Sequence, residues 1–148
     1  MTNIKTNIII IFLISLSLVA TKKVYAEKNF FNEAKAKYDE KKLEESKFLF
    51  QRNIVFNPKD ANSYLYLAKI FEEEKNDNEK DKNLNTALLL DPTNEDAMLM
   101  LIKSELDKSN YSKVKQLKED FATICKNLCE ERKFIENSLK DIEPKNES

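Results

Sequence analysis

Apolar and polar residues alternate along most of the chain at the spacing of amphipathic helices. The clearest stripe runs from Val114 to Leu128, with apolar side chains separated by steps of 3, 4, 3 and 4 residues. Such steps place side chains on one face of an α-helix. Similar stripes, separated by short polar turns, predict three pairs of helices followed by a single helix, between residue 28 and residue 142.

This pattern repeats with a period of 34 residues. Pro58 and Pro92 are 34 positions apart, and they lie in the similar phrases Asn57-Pro58-Lys59-Asp60 and Asp91-Pro92-Thr93-Asn94. A fixed period of this length indicates a helical repeat protein. We therefore predict an all-α fold, an α-solenoid of about three degenerate helix-turn-helix repeats plus a C-terminal capping helix. The repeats are expected at about residues 27–60, 61–94 and 95–128, and the capping helix at 129–142.

Several helix ends have sequence signals of their own. Asp60 and Asn62 are each able to cap the start of the third helix. Thr93 and Asp96 have the spacing of a capped start for the fifth. The polar residues 76–78 are predicted to be the turn before the fourth helix. That helix is weakly indicated at its start, because residues 79–83 contain no apolar side chain.

The first 26 residues have the pattern of a secretory signal peptide. Residues 8–20 form an apolar run, and Val24 and Ala26 suit an export peptidase. The run is shorter than the ~20 residues that span a bilayer. We expect export to the periplasm, removal of residues 1–26 and no membrane insertion afterwards. Lys22 and Lys23, between the run and the cleavage site, are atypical and leave open an uncleaved inner-membrane anchor. Residues 143–148, after the capping helix, are expected to be a disordered tail.

Composition narrows the classes of function. The chain contains no histidine and no glycine, so the commonest general base and the loops that cradle phosphates are both missing. We predict neither enzyme activity nor a bound cofactor or metal. The formal net charge is −1 and the charges are interspersed, which gives no electrostatic reason to expect a nucleic acid partner.

The chain resembles the tetratricopeptide repeat (TPR) family. The middle block carries the family's large, Leu, small and aromatic positions in its first helix, and the small residue and proline of the second. These residues are Tyr64, Leu67, Ala68, Phe71, Ala87 and Pro92. The sequence departs from the family pattern at Glu33, where Leu is expected, at Asn53, where Ala is expected, and at Ile102, which occupies a small position.

The resemblance implies that the first helix of each pair lines a concave groove. Residues one period apart then form columns along that groove: an apolar column, a lysine column and a mixed column beside them. The predicted partner-binding residues are Phe31, Leu65 and Leu99, then Lys35, Lys69 and Lys103, then Tyr38, Glu72 and Leu106. Such a groove suits an extended or helical segment with acidic and apolar side chains. The alternative is that each lysine pairs with the acid four residues on (Asp39, Glu73 or Asp107) on a solvated face.

The function implied is a protein–protein interaction module or scaffold of the bacterial cell envelope. The alternative is a structural or assembly subunit of an envelope complex, tethered by an uncleaved leader. Some members of the family grip a partner's C-terminal carboxylate with lysines and asparagines. The matching positions here carry Phe31, Tyr66, Asp96 and Met100, so that mode of recognition is not expected.

Cys125 and Cys129 are the only two cysteines. Four residues on or beside a helix end bring Cα atoms within bridging range, and an exported protein favours a disulfide. We predict a disulfide that holds the capping helix in place. A thiol-disulfide redox function for the pair is an alternative, although the spacing differs from the usual Cys-x-x-Cys. Metal binding and a pair of free thiols also remain open.

Overall fold

The structure is a computed structural model, and it describes residues 30–140. The predicted leader at 1–26, the predicted tail at 143–148 and the last two residues of the predicted capping helix lie outside the described residues. Residues 30–140 form seven helices joined by short turns and contain no strand. The helices are α1 (Phe30–Asp39), α2 (Leu43–Phe56), α3 (Ala61–Glu73), α4 (Asp77–Leu90), α5 (Glu95–Asp107), α6 (Tyr111–Ile124) and α7 (Glu131–Lys140).

Each helix packs against the next one in the chain, and α7 packs against both α5 and α6. This arrangement is three helical pairs stacked in sequence with one additional helix at the C-terminal end. The predicted all-α solenoid of helix-turn-helix repeats is therefore confirmed. None of the helices within residues 30–140 has the length and apolar composition of a membrane span.

The 34-residue period is visible in the backbone. The turn inside each pair contains one residue with left-handed φ: Lys41 at 60°, Lys75 at 57° and Ser109 at 58°. In each case the next residue's N–H closes a bond to a carbonyl five residues back, as in Lys42 to Lys37 at 2.9 Å. This is the hydrogen bond of a Schellman motif, which usually employs glycine. The chain has no glycine, so lysine or serine takes the position.

Two predicted helix starts need correction. Asn94, not Thr93, caps α5, because its side chain accepts the Ala97 N–H at 3.0 Å. The Thr93 hydroxyl instead donates to Asp91 at 2.8 Å within the preceding turn. Helix α4 begins at Asp77, inside the predicted turn, because the Asn76 side chain caps it. At the start of α3, Asp60 is the cap and accepts the Asn62 N–H at 3.2 Å.

The first turns of α4 have no apolar side chain, yet they are packed. Lys80 is only 5% exposed and Asn83 only 8%. The Lys80 methylene groups lie against the core while its ammonium group donates to Asp77 at 2.8 Å, as long charged side chains commonly do. The hydrogen bond to the Lys80 ammonium lowers the pKa of the Asp77 carboxyl.

The apolar interior divides into two clusters. The smaller one lies in the first repeat and its junction with α3, around Ala34, Phe50, Leu67 and Ile70. The larger one extends from α3 to α7 and includes Phe121, which is fully buried. Helix α3 contributes to both clusters, so it connects the first repeat to the rest of the molecule.

Candidate functional site

The first helices of successive repeats contact one another through side chains. The Tyr66 ring of α3 lies edge-on to Phe31 of α1 at 5.7 Å and to Tyr38 of α1 at 5.2 Å between centroids. Lys69 of α3 forms an ion pair with Asp96 of α5 at 3.1 Å. Helices α1, α3 and α5 therefore form a row, and we call the surface along this row the first-helix face.

Helix α7 extends this row at its C-terminal end. The Lys103 ammonium of α5 lies 5.6 Å from the centroid of the Phe134 ring of α7. Phe134 is 44% exposed and lies two periods after Tyr66 in the sequence. The capping helix thus adds an aromatic side chain to the first-helix face as well as covering the core.

The prediction that the apolar column is exposed along the groove is wrong for two of its three residues. Leu65 is 4% exposed and Leu99 is 8% exposed, and both belong to the larger core cluster. Helices α3 and α5 lie inside the stack. Each packs against the helix directly before it in the chain and the helix directly after it. That double coverage buries the column. Phe31, at the open end of the stack, stays partly exposed.

Aromatic side chains take the place of the column at the N-terminal end. Phe31, Tyr38 and Tyr66 are all partly exposed, and Tyr66 also stacks on the buried Phe50 at 5.0 Å. Burial, with a further contribution from the charge of Glu73, raises the pKa of Tyr38, so this phenol stays neutral. Tyr66 was not among the predicted binding residues. Its spacing of 68 residues to Phe134, twice the period, is the signal that could have identified it.

The three column lysines have different surroundings. Lys35 pairs with Asp39 at 2.7 Å, and this hydrogen bond raises the pKa of its ammonium group. Lys69 pairs with the next repeat instead, and it also lies 5.3 Å from the Tyr66 centroid. Lys103 contacts an aromatic ring and has no ion-pair partner among residues 30–140. The alternative in which every lysine pairs four residues on therefore describes Lys35 alone.

An open pocket of about 470 Å³ lies at the junction of α3, α5 and α7. It includes three of the predicted binding residues, Glu72, Lys103 and Leu106, which come from two adjacent first helices. The whole lining is Glu72, Lys103, Leu106, Asp107, Tyr111, Phe134 and Ser138. It offers an ammonium group and two aromatic rings beside two carboxylates, a composition suited to side chains of mixed polarity.

Two interactions fix the segment between α6 and α7. Cys125 and Cys129 form a disulfide with their Cα atoms 5.2 Å apart. From the start of α5, the Glu95 carboxylate accepts the N–H groups of Leu128 at 2.8 Å and Asn127 at 3.0 Å. These hydrogen bonds lower the pKa of the Glu95 carboxyl, and the bond from Leu128 has the largest effect. Residues 30–140 contain no group of three or more metal-ligating side chains.

Comparison with known proteins gives the class of fold. No known family model matches the sequence, and no curated protein matches it. Among solved structures, the Arabidopsis OM64 TPR domain has a TM-score of 0.68 at 18% identity, with 78% of this chain and 95% of that chain covered. The Yersinia enterocolitica type III secretion chaperone SycD, in complex with a peptide of the translocator YopD, has a TM-score of 0.65 at 14% identity over 77% and 89%.

A third similar structure is the second TPR domain of human RPAP3 in complex with the HSP70 peptide SGPTIEEVD. Its TM-score is 0.61 at 16% identity, with 76% of this chain and 90% of that chain covered. The chain therefore has a TPR-like fold.

Proposed function

We propose that the protein is a non-catalytic protein–protein interaction module that binds a polypeptide segment along the first-helix face. The observation that carries this proposal is the continuity of that face. Partly exposed aromatic rings on α1 and α3 lead to the pocket shared by α3, α5 and α7, with Lys69 beside the Tyr66 ring and Lys103 in the pocket lining. Stacked helical pairs present extended surfaces of this kind to partner chains.

The chemistry of the face favours a segment with aromatic or aliphatic side chains next to carboxylates. Aromatic side chains bring a large apolar surface to an interface. Lys103 is the most available cation of the column, because it is paired only with the Phe134 ring. Lys69 is held by Asp96, so a ligand carboxylate there must compete with a residue of the protein. Affinity should depend more on Lys103 than on Lys69.

Two of the similar structures contain peptides, one of the translocator YopD and one of HSP70. They support a peptide as the class of ligand for this fold. The proposal does not include capture of a free C-terminal carboxylate. Asp96 and Met100 stand where the resemblance would require lysine or asparagine for such a clamp, and Asp96 would repel a carboxylate.

We further propose that the protein works in the bacterial periplasm after removal of residues 1–26, for which the apolar run at 8–20 is the support. The intact mass of the purified protein tests this, and a chain beginning at Glu27 is expected. A retained leader would favour the alternative of a membrane-tethered assembly subunit, for which Lys22 and Lys23 are the support.

Crosslinking capture from cell-envelope extracts tests the binding proposal. The bait is the wild-type protein, compared with a variant carrying Lys35→Ala, Lys69→Ala and Lys103→Ala. The matched control carries Lys75→Ala, Lys82→Ala and Lys126→Ala, three exposed lysines outside the column. We expect the first variant to lose the specific partner and the control to retain it. Equal capture by both variants would reject the lysine column as a ligand contact.

A further inference from the structure

Helix α2 carries an apolar stripe on the side opposite the core. Phe48 is 62% exposed, Val55 77% and Phe56 61%. Phe48 and Val55 are seven residues apart and share one face of the helix. Phe56 lies at the edge of this face, where its ring also stacks on the buried Phe30 at 5.5 Å. The core residues Phe50 and Asn53 lie on the other side.

The outward faces at the two ends of the helical stack differ in polarity. At the C-terminal end, Lys133, Asn137 and Lys140 give α7 a polar outer surface. In the first repeat, the outward face of α2 carries Phe48, where the second repeat carries Lys82 at the same position. Solenoid proteins need polar outer faces on their terminal repeats to stay soluble. The apolar stripe of α2 therefore indicates a surface that another polypeptide covers.

The charges around the stripe match those of a second copy of the same helix. Glu44 and Glu45 lie at the start of α2, whereas Arg52 lies in its second half and Lys59 in the turn that follows. Lys59 has no ion-pair partner among the described residues. Glu44 and Glu45 pair with Lys47 and Lys37 at 3.1 and 3.2 Å, but both carboxylates remain exposed. Reversing the helix thus brings Glu44 opposite Lys59, while the Arg52 guanidinium, near the centre of α2, lies 4.5 Å from the centroid of the Phe30 ring.

We propose that two copies of this chain form a homodimer through antiparallel contact of their α2 helices. A twofold axis between Gln51 and Arg52 would set each Phe48 against the other copy's Val55. The same axis would bring each Glu44 near the other copy's Lys59. Every contact then occurs twice, as an isologous interface requires. A pocket of about 430 Å³ beside Phe48 and Leu49 provides room for an additional apolar side chain.

Sedimentation equilibrium of the purified full chain at about 100 µM tests the dimer, because a micromolar interface is saturated at that concentration. We expect twice the chain mass for the wild type. The variant Phe48→Glu/Val55→Glu should weaken dimerisation by at least about tenfold, since apolar anchors dominate interfaces. Leu89→Glu, at an apolar position of α4 that is 82% exposed, is the matched control and should remain dimeric. Circular dichroism verifies that each variant is folded.

Charge exchange provides a second test that leaves the apolar stripe intact. Glu44→Lys should weaken the dimer, and Glu44→Lys/Lys59→Glu should restore it, because the exchanged charges meet across the axis. A monomeric wild type would overturn the proposal. It would also be overturned by a dimer that neither Phe48→Glu/Val55→Glu nor Glu44→Lys weakens, because the contact would then lie elsewhere on the molecule. Partner capture through the first-helix face should survive every α2 variant, so the two proposals can fail separately.

Discussion

At the scale of single residues, the most costly backbone positions are the three turns inside the helical pairs. Lys41, Lys75 and Ser109 have left-handed φ values near 60°, a region that costs a residue with a Cβ atom roughly 1–2 kcal/mol. The chain has no glycine to relieve this cost. The three positions are 34 residues apart, so the strain recurs once in every repeat.

Lys75→Gly is therefore expected to stabilise the protein by up to about 1 kcal/mol, because relief of the left-handed strain exceeds the added entropy of the unfolded chain. Lys75→Val should destabilise it, since a β-branched residue tolerates this region least. Urea unfolding measures both free energies. As a control, Lys82→Gly inside α4 should cost about 1 kcal/mol. If Gly stabilised the protein at both Lys75 and Lys82, the left-handed conformation at Lys75 would not be the cause of the stabilisation.

Glu95 gives the fold a predictable dependence on pH. The N–H groups of Leu128 and Asn127 hold its pKa below the ordinary value of 4.5. A carboxyl whose pKa is lower in the folded state stabilises the fold above the unfolded pKa. The contribution is lost as pH falls through the folded pKa. In urea titrations, Glu95→Gln should be less stable than the wild type at pH 7, and the difference should shrink below about pH 4. A difference constant down to pH 2 would contradict this origin.

At the scale of helices, the disulfide and Glu95 both act on the connection between α6 and α7. Closing so short a loop contributes roughly 2 kcal/mol in the chain-entropy model. The variant Cys125→Ser/Cys129→Ser should lose up to that amount in urea unfolding, with faster amide exchange in α7. A reducing agent should reproduce the effect in the wild type and leave the variant unchanged. Insulin reduction by the wild type that disappears in the variant would instead support the redox alternative.

The helices were predictable from sequence because each one carries its own apolar periodicity and its own turn signals. The roles of residues that depart from the family pattern became clear only in the structure. Asn53 occupies a position where the family pattern expects Ala, and its amide donates to Asp60 at 2.8 Å and to Ser63 at 2.9 Å. It thus joins the end of α2 to the start of α3. No spacing rule predicts such a link, because it depends on how two helices meet.

The binding face was predicted in part, for a related reason. Helical spacing assigns a residue to a side of its helix but does not say how much of that side a neighbouring helix covers. Leu65 and Leu99 were therefore expected on the surface and are buried. Tyr66 was overlooked although it contacts two aromatic residues of α1. The assignment of Lys69 and Lys103 to ligand contacts stays a prediction.

At the scale of the whole molecule, the division of the core into two clusters limits cooperativity. Stability in a stacked repeat protein is approximately the sum of each repeat's stability and its contacts with neighbours. The first repeat has only one neighbour within the described residues, through α3. It should therefore open before the remaining repeats, and a substitution in one cluster should act mainly on the helices of that cluster.

Phe50 and Phe121 allow this to be tested, because both side chains are fully buried, one in each cluster. Truncation of either to Ala should cost about 3–5 kcal/mol in its own cluster. Hydrogen exchange read by mass spectrometry should show Phe50→Ala accelerating exchange in α1 and α2 while α5 and α6 stay protected. Phe121→Ala should accelerate exchange in α5, α6 and α7. Equal acceleration in every helix for both variants would mean that the seven helices unfold as one cooperative unit. The contacts of α3 with both clusters would then be strong enough that neither cluster opens without the other.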